Sequence, residues 1–244
     1  MVYVLLPVYN EESSLPILLE KLDMGMKRCG FKYHVIAYND GSKDGSFEIL
    51  NKYKRLMPIT ITGEEYNKGL GVALKCLLNK ALDMSVDEDD IAVVLDSDNT
   101  HNPEHISHMV NKLRDSFDVV IASRYLPDSR IVGVTMSRQL LSIGASWIMR
   151  ILFPIKGVKD YTCGYRAYTI RCLRKARKKF GERLIEEQSF ACMAELLIKL
   201  RTMDIIAVEV PIILRYDQKC GASKMNIIKT IRRTLLMLYK LKKV

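Results

Sequence analysis

Short apolar runs that end in polar loops recur along the first half of the chain. They predict buried strands at Val2–Leu6, Tyr33–Tyr38, Ile59–Thr62, Ile91–Leu95 and Val119–Ala122. Between these runs the apolar positions recur at helical spacing, as in 15–26, 72–82 and 103–114. Strands that alternate with helices over short connections predict an α/β fold with a mostly parallel central sheet flanked by helices.

The second half of the chain has a different pattern. Met136–Phe153 is a long, largely apolar segment interrupted by Arg138 and Arg150, and these charges argue against a transmembrane span. The segment fits a helix that lies on a membrane surface or in a groove, and it equally fits a buried helix. Further helices are predicted at 171–179 and 187–200, and a strand is predicted at 205–210.

The carboxyl-terminal residues 225–244 combine apolar positions at helical spacing with basic residues. The apolar positions are Ile228, Ile231, Leu235 and Leu238. Such a basic amphipathic helix is suited to anionic lipid headgroups, and packing of the same helix on the domain is the alternative.

Composition narrows the class of protein. The 244 residues are 48% hydrophobic, which suits one large α/β domain, and the net charge of +10 favours nucleic acid, anionic lipid or phosphate-bearing substrates. The six cysteines form no Cys-x-x-Cys pair, so we expect reduced, cytosolic thiols. We also expect no signal peptide, because the first strand starts at Val2 without a basic lead.

Two carboxylates, Asp96 and Asp98, follow the fourth predicted strand with Ser97 between them. Ligands bind at the carboxyl ends of strands in open α/β sheets, so this pair is a candidate for binding a divalent metal ion. An ordinary loop that caps the next helix is the alternative. His101, His105 and His108 also allow a zinc site to be considered, but no further ligand accompanies them.

Four segments, taken in order, resemble the family 2 glycosyltransferases of the GT-A fold. They are Pro7–Glu11, Asn39–Gly45, Asn67–Gly71 and Asp96–Asp98. Segments of the second half are similar to the polyprenyl-phosphate sugar transferases, the dolichol-phosphate mannose synthase group. They are Ser123–Tyr125, Arg138 with Ser142, Asp160–Arg166 and Gly221–Lys224. Thr100 stands where this resemblance leads us to expect a glutamine that helps to hold the metal.

The resemblance implies a Rossmann-like GT-A domain over 1–224 and a basic amphipathic helix over 225–244. Within the domain, 1–122 would be the nucleotide-sugar-binding half and 123–224 the acceptor-binding half. It further implies a hexosyltransferase that transfers a sugar from a nucleotide diphosphate donor, such as GDP-mannose or a UDP-sugar, to a polyprenyl phosphate with inversion. The implied cofactor is Mg²⁺ or Mn²⁺, held by Asp96 and Asp98.

The resemblance also assigns site residues. The donor-binding residues would be Pro7, Tyr9, Asn10, Glu11, Asp40, Lys68, Asp96, Ser97 and Asp98. Since guanidinium forks match phosphate, Arg124, Arg138 and Arg215 are candidates for the acceptor phosphate, as is Lys224, with Ser142 one helical turn after Arg138. A surface charge is the alternative for each of these cations. Of the donor and acceptor residues, Asp98, Arg124 and Arg138 are expected to be catalytic. Packing for Tyr9, helix capping for Asn10 and a solvated surface position for Lys68 are the alternatives.

Two other functions remain open from the sequence. A glycan or polysaccharide hydroxyl as acceptor would require a carboxylate base, for which Glu186, Glu187 and Asp160 are candidates. A non-catalytic, basic module that binds lipid or RNA is the second alternative, although no aromatic residues interleave with the basic ones. For the sugar transferase we expect a cytoplasmic, peripheral location on an anionic membrane surface, no nucleic-acid partner, and a possible membrane subunit.

Overall fold

The computed structural model describes residues 1–219 and 227–242. The strands of these residues are β1 (Val2–Val8), β2 (Tyr33–Asp40), β3 (Ile59–Glu64), β4 (Ile91–Val94), β5 (Val119–Ser123), β6 (Arg130–Val132), β7 (Arg166–Thr169), β8 (Ala207–Pro211) and β9 (Ile213–Arg215). The helices are α1 (Leu15–Arg28), α2 (Ser46–Tyr53), α3 (Leu70–Met84), α4 (His105–Arg114), α5 (Met136–Leu152), α6 (Ile170–Phe180), α7 (Cys192–Arg201) and α8 (Ile227–Leu241). Short 3₁₀ turns occupy Gly181–Leu184 and Tyr216–Gln218.

Seven of these strands form one sheet in the order β3-β2-β1-β4-β7-β5-β8, with β7 antiparallel to both of its neighbours and the other pairs parallel. The predicted α/β fold with a mostly parallel sheet is therefore confirmed. A separate parallel pair joins β6 to β9. β7 comes from the second half of the chain and lies between β4 and β5 of the first half, so both halves share the sheet.

The centre of the sheet is buried on both faces, which explains why its strands read as continuous apolar runs. The residues of β4 are 0–4% exposed, and those of β5 are fully buried. α3 packs on β1 and β2, while α4 packs on β5 and β7. The apolar core thus fixes the ends of the central strands, where the polar loops begin.

Several predicted boundaries shift in the structure. The helix predicted from Glu187 begins only at Cys192, because residues 186–189 form a loop whose backbone amides bind the Glu195 carboxylate and whose carbonyls lie against Gly71. β7 was not predicted, since it has four residues and begins with a charged one. It survives in the interior because the Arg166 guanidinium donates to the carbonyl oxygens of Tyr161 and Met193.

α5 decides between the alternatives left open for its segment. Of its residues only Ser146 and Met149 are buried, so the helix lies on the surface. No helix within 1–219 and 227–242 is both long enough and apolar enough to cross a bilayer. In α8, Leu238 is buried while Ile231 and Leu235 are about half exposed, so the predicted apolar stripe is only partly packed.

Candidate active site

The carboxyl ends of β1, β2 and β4 bring the predicted donor-binding segments to one edge of the sheet. β1 lies between β2 and β4, so the loops that follow all three strands are neighbours. The Ser97 hydroxyl is buried and donates to the Pro7 carbonyl oxygen over 2.9 Å. The acidic loop is thereby attached to the end of β1, and Ser97 supports the loop from inside.

Asp98 uses both carboxylate oxygens within the protein. Its Oδ1 accepts hydrogen bonds from the Thr100 hydroxyl at 2.6 Å and the Thr100 amide at 3.2 Å. Its Oδ2 accepts from the Lys219 ammonium. Burial alone would raise the pKa of Asp98, but Lys219 and the hydrogen bond from Thr100 outweigh it and the pKa is lowered. Asp98 is therefore an ionised carboxylate that already holds a cation.

Asp96 has a different environment. Its Oδ2 lies 3.6 Å from Nδ1 of the buried His101, whose ring stacks on Tyr165 with centroids 5.0 Å apart. A Cβ on Gly164 would come within 3.5 Å of Asp96 Oδ1, so the 160–166 loop lies directly against this carboxylate. Burial raises the pKa of Asp96, His101 opposes the shift, and the Asp98 charge adds to it. The pKa values of the two acids are thus shifted in opposite directions.

The side chains near Asp96 and Asp98 supply only part of the ligands that a divalent cation needs. Within the described ranges, no group of three or more His, Cys, Asp or Glu side chains could hold a metal, and the histidines considered for zinc are included in that finding. Mg²⁺ and Mn²⁺ accept one or two carboxylates when phosphate oxygens and water complete the shell. Asp96 and Asp98 therefore suit such an ion as its two carboxylate ligands, provided that the Lys219 ammonium leaves Asp98 Oδ2. Thr100 directs its hydroxyl at Asp98, where it orients a carboxylate.

Asp40 organises the loop that precedes α3. It is 4% exposed, and its two oxygens accept from the amides of Lys68 at 2.8 Å and Gly69 at 2.9 Å. The Lys68 ammonium lies 2.9 Å from Glu64. A Cβ on Gly71 would meet the Glu187 carbonyl oxygen at 1.8 Å. The glycines therefore permit a close backbone contact, and Asp40 fixes the amino end of α3.

The loop after β1 interlocks with the loop after β2. Asn10 adopts a left-handed backbone with φ of 53°, and its Oδ1 accepts from the Lys43 amide at 2.7 Å. The Glu11 amide donates to the Ser46 hydroxyl at 2.8 Å. Tyr9 is half-buried at the same edge. These hydrogen bonds join the two loops, and contact of Tyr9, Asn10 and Glu11 with a nucleotide stays a prediction.

Three predicted acceptor residues line a single cleft. Arg124, Arg138 and Ser142 face it together with Tyr125 and Leu214. Arg138 Nη1 donates to the Tyr216 hydroxyl at 2.9 Å. The Ser142 hydroxyl accepts from the Tyr125 hydroxyl at 2.9 Å.

Arg124 lines the cleft and also forms an ion pair with the buried Asp160. Its Nε and Nη2 donate to the two oxygens of Asp160 at 2.8 and 2.6 Å, and Nη2 also donates to the Thr162 hydroxyl at 2.6 Å. Asp160 is completely buried. Burial opposes ionisation, but the guanidinium holds the pKa of Asp160 below its usual value. Arg124 is thereby fixed with a partly compensated charge.

The other two predicted acceptor residues differ. Arg215 is exposed and forms a two-point ion pair with Asp217, with Nη2 2.8 Å from Oδ2. Lys224 lies outside the described residues. Sequence reasoning did not assign Lys219 or Tyr216 to the site. Only their position shortly before the quoted 221–224 segment could have drawn attention to them.

α5 carries the cleft residues Arg138 and Ser142 and also a broad exposed apolar surface. The exposed apolar side chains of the helix are Met136, Leu140, Leu141, Ile143, Trp147, Ile148, Ile151 and Leu152. Exposed apolar side chains grouped on one helix make this surface a candidate interaction site. α5 thus contributes residues both to the cleft and to the exposed apolar surface.

Comparison with known proteins places these features in a family. The model of the family "Glycosyl transferase family 2" matches residues 3–178. The chain is 29% identical over 243 residues to the dolichol-phosphate mannosyltransferase of Pyrococcus furiosus, covering 99% of this chain and 64% of that protein. It is 26% identical to the polyprenol monophosphomannose synthase of Mycolicibacterium smegmatis, covering 91% of this chain and 80% of that protein.

A solved structure shares the architecture. Glucosyl-3-phosphoglycerate synthase from Mycobacterium tuberculosis, crystallised with Mn²⁺, uridine diphosphate and phosphoglyceric acid, superposes with a TM-score of 0.72 at 16% identity. The match covers all of this chain and 79% of that chain. At this identity the likeness concerns the fold, and it supports the GT-A architecture predicted from the sequence.

Proposed function

Because the chain belongs to glycosyltransferase family 2, we propose that it transfers a sugar from a nucleotide diphosphate donor to a polyprenyl phosphate at a membrane surface. The observation that carries this proposal is the cleft in which Arg124 meets Arg138 and Ser142 of α5, a helix that also exposes many apolar side chains. Relatives named for dolichol-phosphate and polyprenol-phosphate mannosyl transfer support the choice of acceptor.

The edge formed by the loops after β1, β2 and β4 would receive the donor. Asp98 and Asp96 would hold Mg²⁺ or Mn²⁺, which when bound would supply positive charge to the leaving diphosphate. The amino end of α3 supports this edge from inside, because the amides of Lys68 and Gly69 donate to Asp40 and Gly71 packs against the backbone of residues 187 and 188. GDP-mannose and UDP-sugars are both candidate donors.

The acceptor half needs positioning groups more than a base. A phosphate monoester is already an anionic nucleophile, so one of its oxygens can attack the anomeric carbon directly and invert its configuration. The guanidinium of Arg138 matches phosphate oxygens, whereas Arg124 already uses Nε and Nη2 on Asp160 and Thr162 and would contribute mainly its positive charge. Ser142 adds a hydroxyl one helical turn from Arg138.

The alternative acceptor, a glycan hydroxyl, would need a carboxylate base. Asp160 is fully buried and paired with Arg124. Glu186 accepts from the Lys199 ammonium at 2.9 Å, and Glu187 accepts from the Ser189 amide at 2.8 Å. Each candidate base from the sequence is therefore engaged elsewhere, which favours the phosphate acceptor.

The test is a transfer assay with labelled GDP-mannose or UDP-sugars, Mn²⁺ and polyprenyl phosphate in vesicles. We expect an organic-extractable product that is lost in Asp98→Asn. Arg138→Ala should raise KM for the lipid at least tenfold and leave nucleotide binding near wild type. Arg171→Ala is the matched control, because this arginine is exposed and pairs with Asp89 on the surface. Glycosylation of a soluble saccharide with no lipid product would refute the proposal.

Membrane contact can be read from the protein's own fluorescence. The chain has a single tryptophan, Trp147, which is 56% exposed on α5. Anionic vesicles should shift its emission to the blue, and Ile151→Ser should weaken vesicle binding. Val86→Ser is the control, since Val86 is 94% exposed in the turn before β4. An unchanged emission spectrum at saturating lipid would exclude docking through α5.

A further inference from the structure

Lys219 forms an ion pair with Asp98, the carboxylate that we propose as a ligand of the metal ion at the nucleotide-sugar site. Its ammonium donates to Asp98 Oδ2, and the two side chains are each only 13% exposed. Asp98 Oδ1 already accepts two hydrogen bonds from Thr100. A divalent ion that approaches Oδ2 would therefore meet a positive charge at the oxygen it needs.

The ammonium is held there by a short, well-attached segment. The Arg215 amide donates to the Thr100 carbonyl oxygen at 3.0 Å, so β9 is joined directly to the acidic loop. The Tyr216 ring follows, and Lys219 Nζ lies 5.4 Å from its centroid. The position of Lys219 thus follows from β9 and the 216–218 turn, and is not that of a lone surface lysine.

The same tyrosine also contacts the acceptor cleft. Arg138 lies 5.9 Å from the Tyr216 centroid and donates to its hydroxyl at 2.9 Å. Tyr216 therefore lies between Lys219 on the metal side and Arg138 on the acceptor side. A change in the position of Lys219 would therefore alter a contact of Tyr216, the residue whose hydroxyl also accepts a hydrogen bond from Arg138.

We propose that Lys219 is an internal counter-ion for Asp98, which competes with the divalent metal until a nucleotide diphosphate accepts its ammonium. The inference rests on the proposed function, since it takes Asp98 as the metal ligand and a diphosphate as the incoming anion. Metal alone must displace a poorly solvated ammonium that gains no new partner. Metal bound together with a diphosphate displaces the same ammonium and supplies an anion for it. Metal and nucleotide should therefore bind cooperatively, and Lys219 should be one source of that coupling.

The test is a titration of the purified full chain with Mn²⁺, in which electron paramagnetic resonance measures the concentration of the free ion. Without nucleotide, Lys219→Met should bind Mn²⁺ about tenfold more tightly than the wild type, the effect of losing one charge-assisted contact. The gain in Mn²⁺ affinity on adding GDP or UDP should be smaller in this variant. Lys219→Arg keeps the charge and should behave like the wild type.

Two controls separate the possible failures. Lys112→Gln removes an exposed lysine in the last turn of α4, where it pairs with Asp115, and should bind Mn²⁺ as the wild type does. If Mn²⁺ binding is lost in Asp98→Asn but unchanged or weaker in Lys219→Met, the inference is overturned and the proposed function stands. If Asp98→Asn binds Mn²⁺ as well as the wild type does, even with GDP or UDP present, Asp98 is not the metal ligand. The proposed function then fails as stated, and the inference fails with it.

Discussion

Replacing Asp160 with Asn should be among the most damaging single-atom changes in the acceptor half. The carboxylate is fully buried and accepts six hydrogen bonds, three from Arg124, two from the amide and hydroxyl of Thr162 and one from the Cys163 amide. An amide keeps one acceptor oxygen but turns the other into a donor that faces the guanidinium. The variant also leaves the buried Arg124 charge without its counter-ion. Breaking a buried pair in this way costs about 3–5 kcal/mol.

The measurement is urea unfolding of the wild type and Asp160→Asn, with thermal unfolding in parallel. For a chain of this length the loss corresponds to a fall in Tm of about 10 °C. The surface pair of Arg215 and Asp217 has the same two-point geometry but is more than a third exposed on both sides. Asp217→Asn is therefore the matched control and should leave the midpoint almost unchanged. Equal midpoints for Asp160→Asn and Asp217→Asn would refute the view that burial makes the inner pair important.

The remaining predictions concern the same framework. Because Arg124 lowers the native pKa of Asp160, this pair stabilises the fold above the unfolded pKa, and its contribution is lost as the pH falls from about 5 through the lowered native value. Unfolding curves of Asp160→Asn should lack that part of the acid dependence, and parallel curves would contradict the assignment. Gly71→Ala should lower the free energy of unfolding by about 1–3 kcal/mol, since its Cβ would overlap the Glu187 carbonyl oxygen. Gly25→Ala in α1 has open space and should instead stabilise by about 0.5–1 kcal/mol, which chemical denaturation will resolve. Ser97→Ala should cost about 1 kcal/mol by removing the hydrogen bond to Pro7, and an unchanged stability would show that this bond does not hold the acidic loop.

The edge of the sheet that carries the predicted donor-binding residues could be predicted, because the strands and loops that form it follow from short local patterns in the sequence. Apolar runs of four to seven residues end at Val8, Tyr38 and Leu95, just before the loops that follow β1, β2 and β4, and parallel strands place their ends at one edge of the sheet. Once the strands were identified, the neighbourhood of Pro7, Asp40 and Asp98 followed. The division into halves at residue 122 stays a prediction, as do the roles of the donor and acceptor residues toward their ligands.

The contacts made by those residues were not predictable in the same way. Sequence reasoning expected Arg215 at the acceptor phosphate, and the structure shows its guanidinium on Asp217. Thr100 was a gap in the expected metal shell, and the structure shows it as a hydrogen-bond donor to Asp98. Such pairings depend on side-chain direction and on which neighbours compete for one oxygen, and neither is encoded in the spacing of residues.

The α/β architecture, the family resemblance and the edge of the sheet where chemistry is expected could all be predicted from the sequence, because strand periodicity and turn residues act over a few positions. The surface position of α5, the insertion of β7 between β4 and β5 and the pairing of Arg124 with Asp160 became known only from the three-dimensional packing. It alone brought Lys219 to Asp98 across 121 positions of chain. Contacts of that separation are fixed by how the whole core packs, so no local pattern records them.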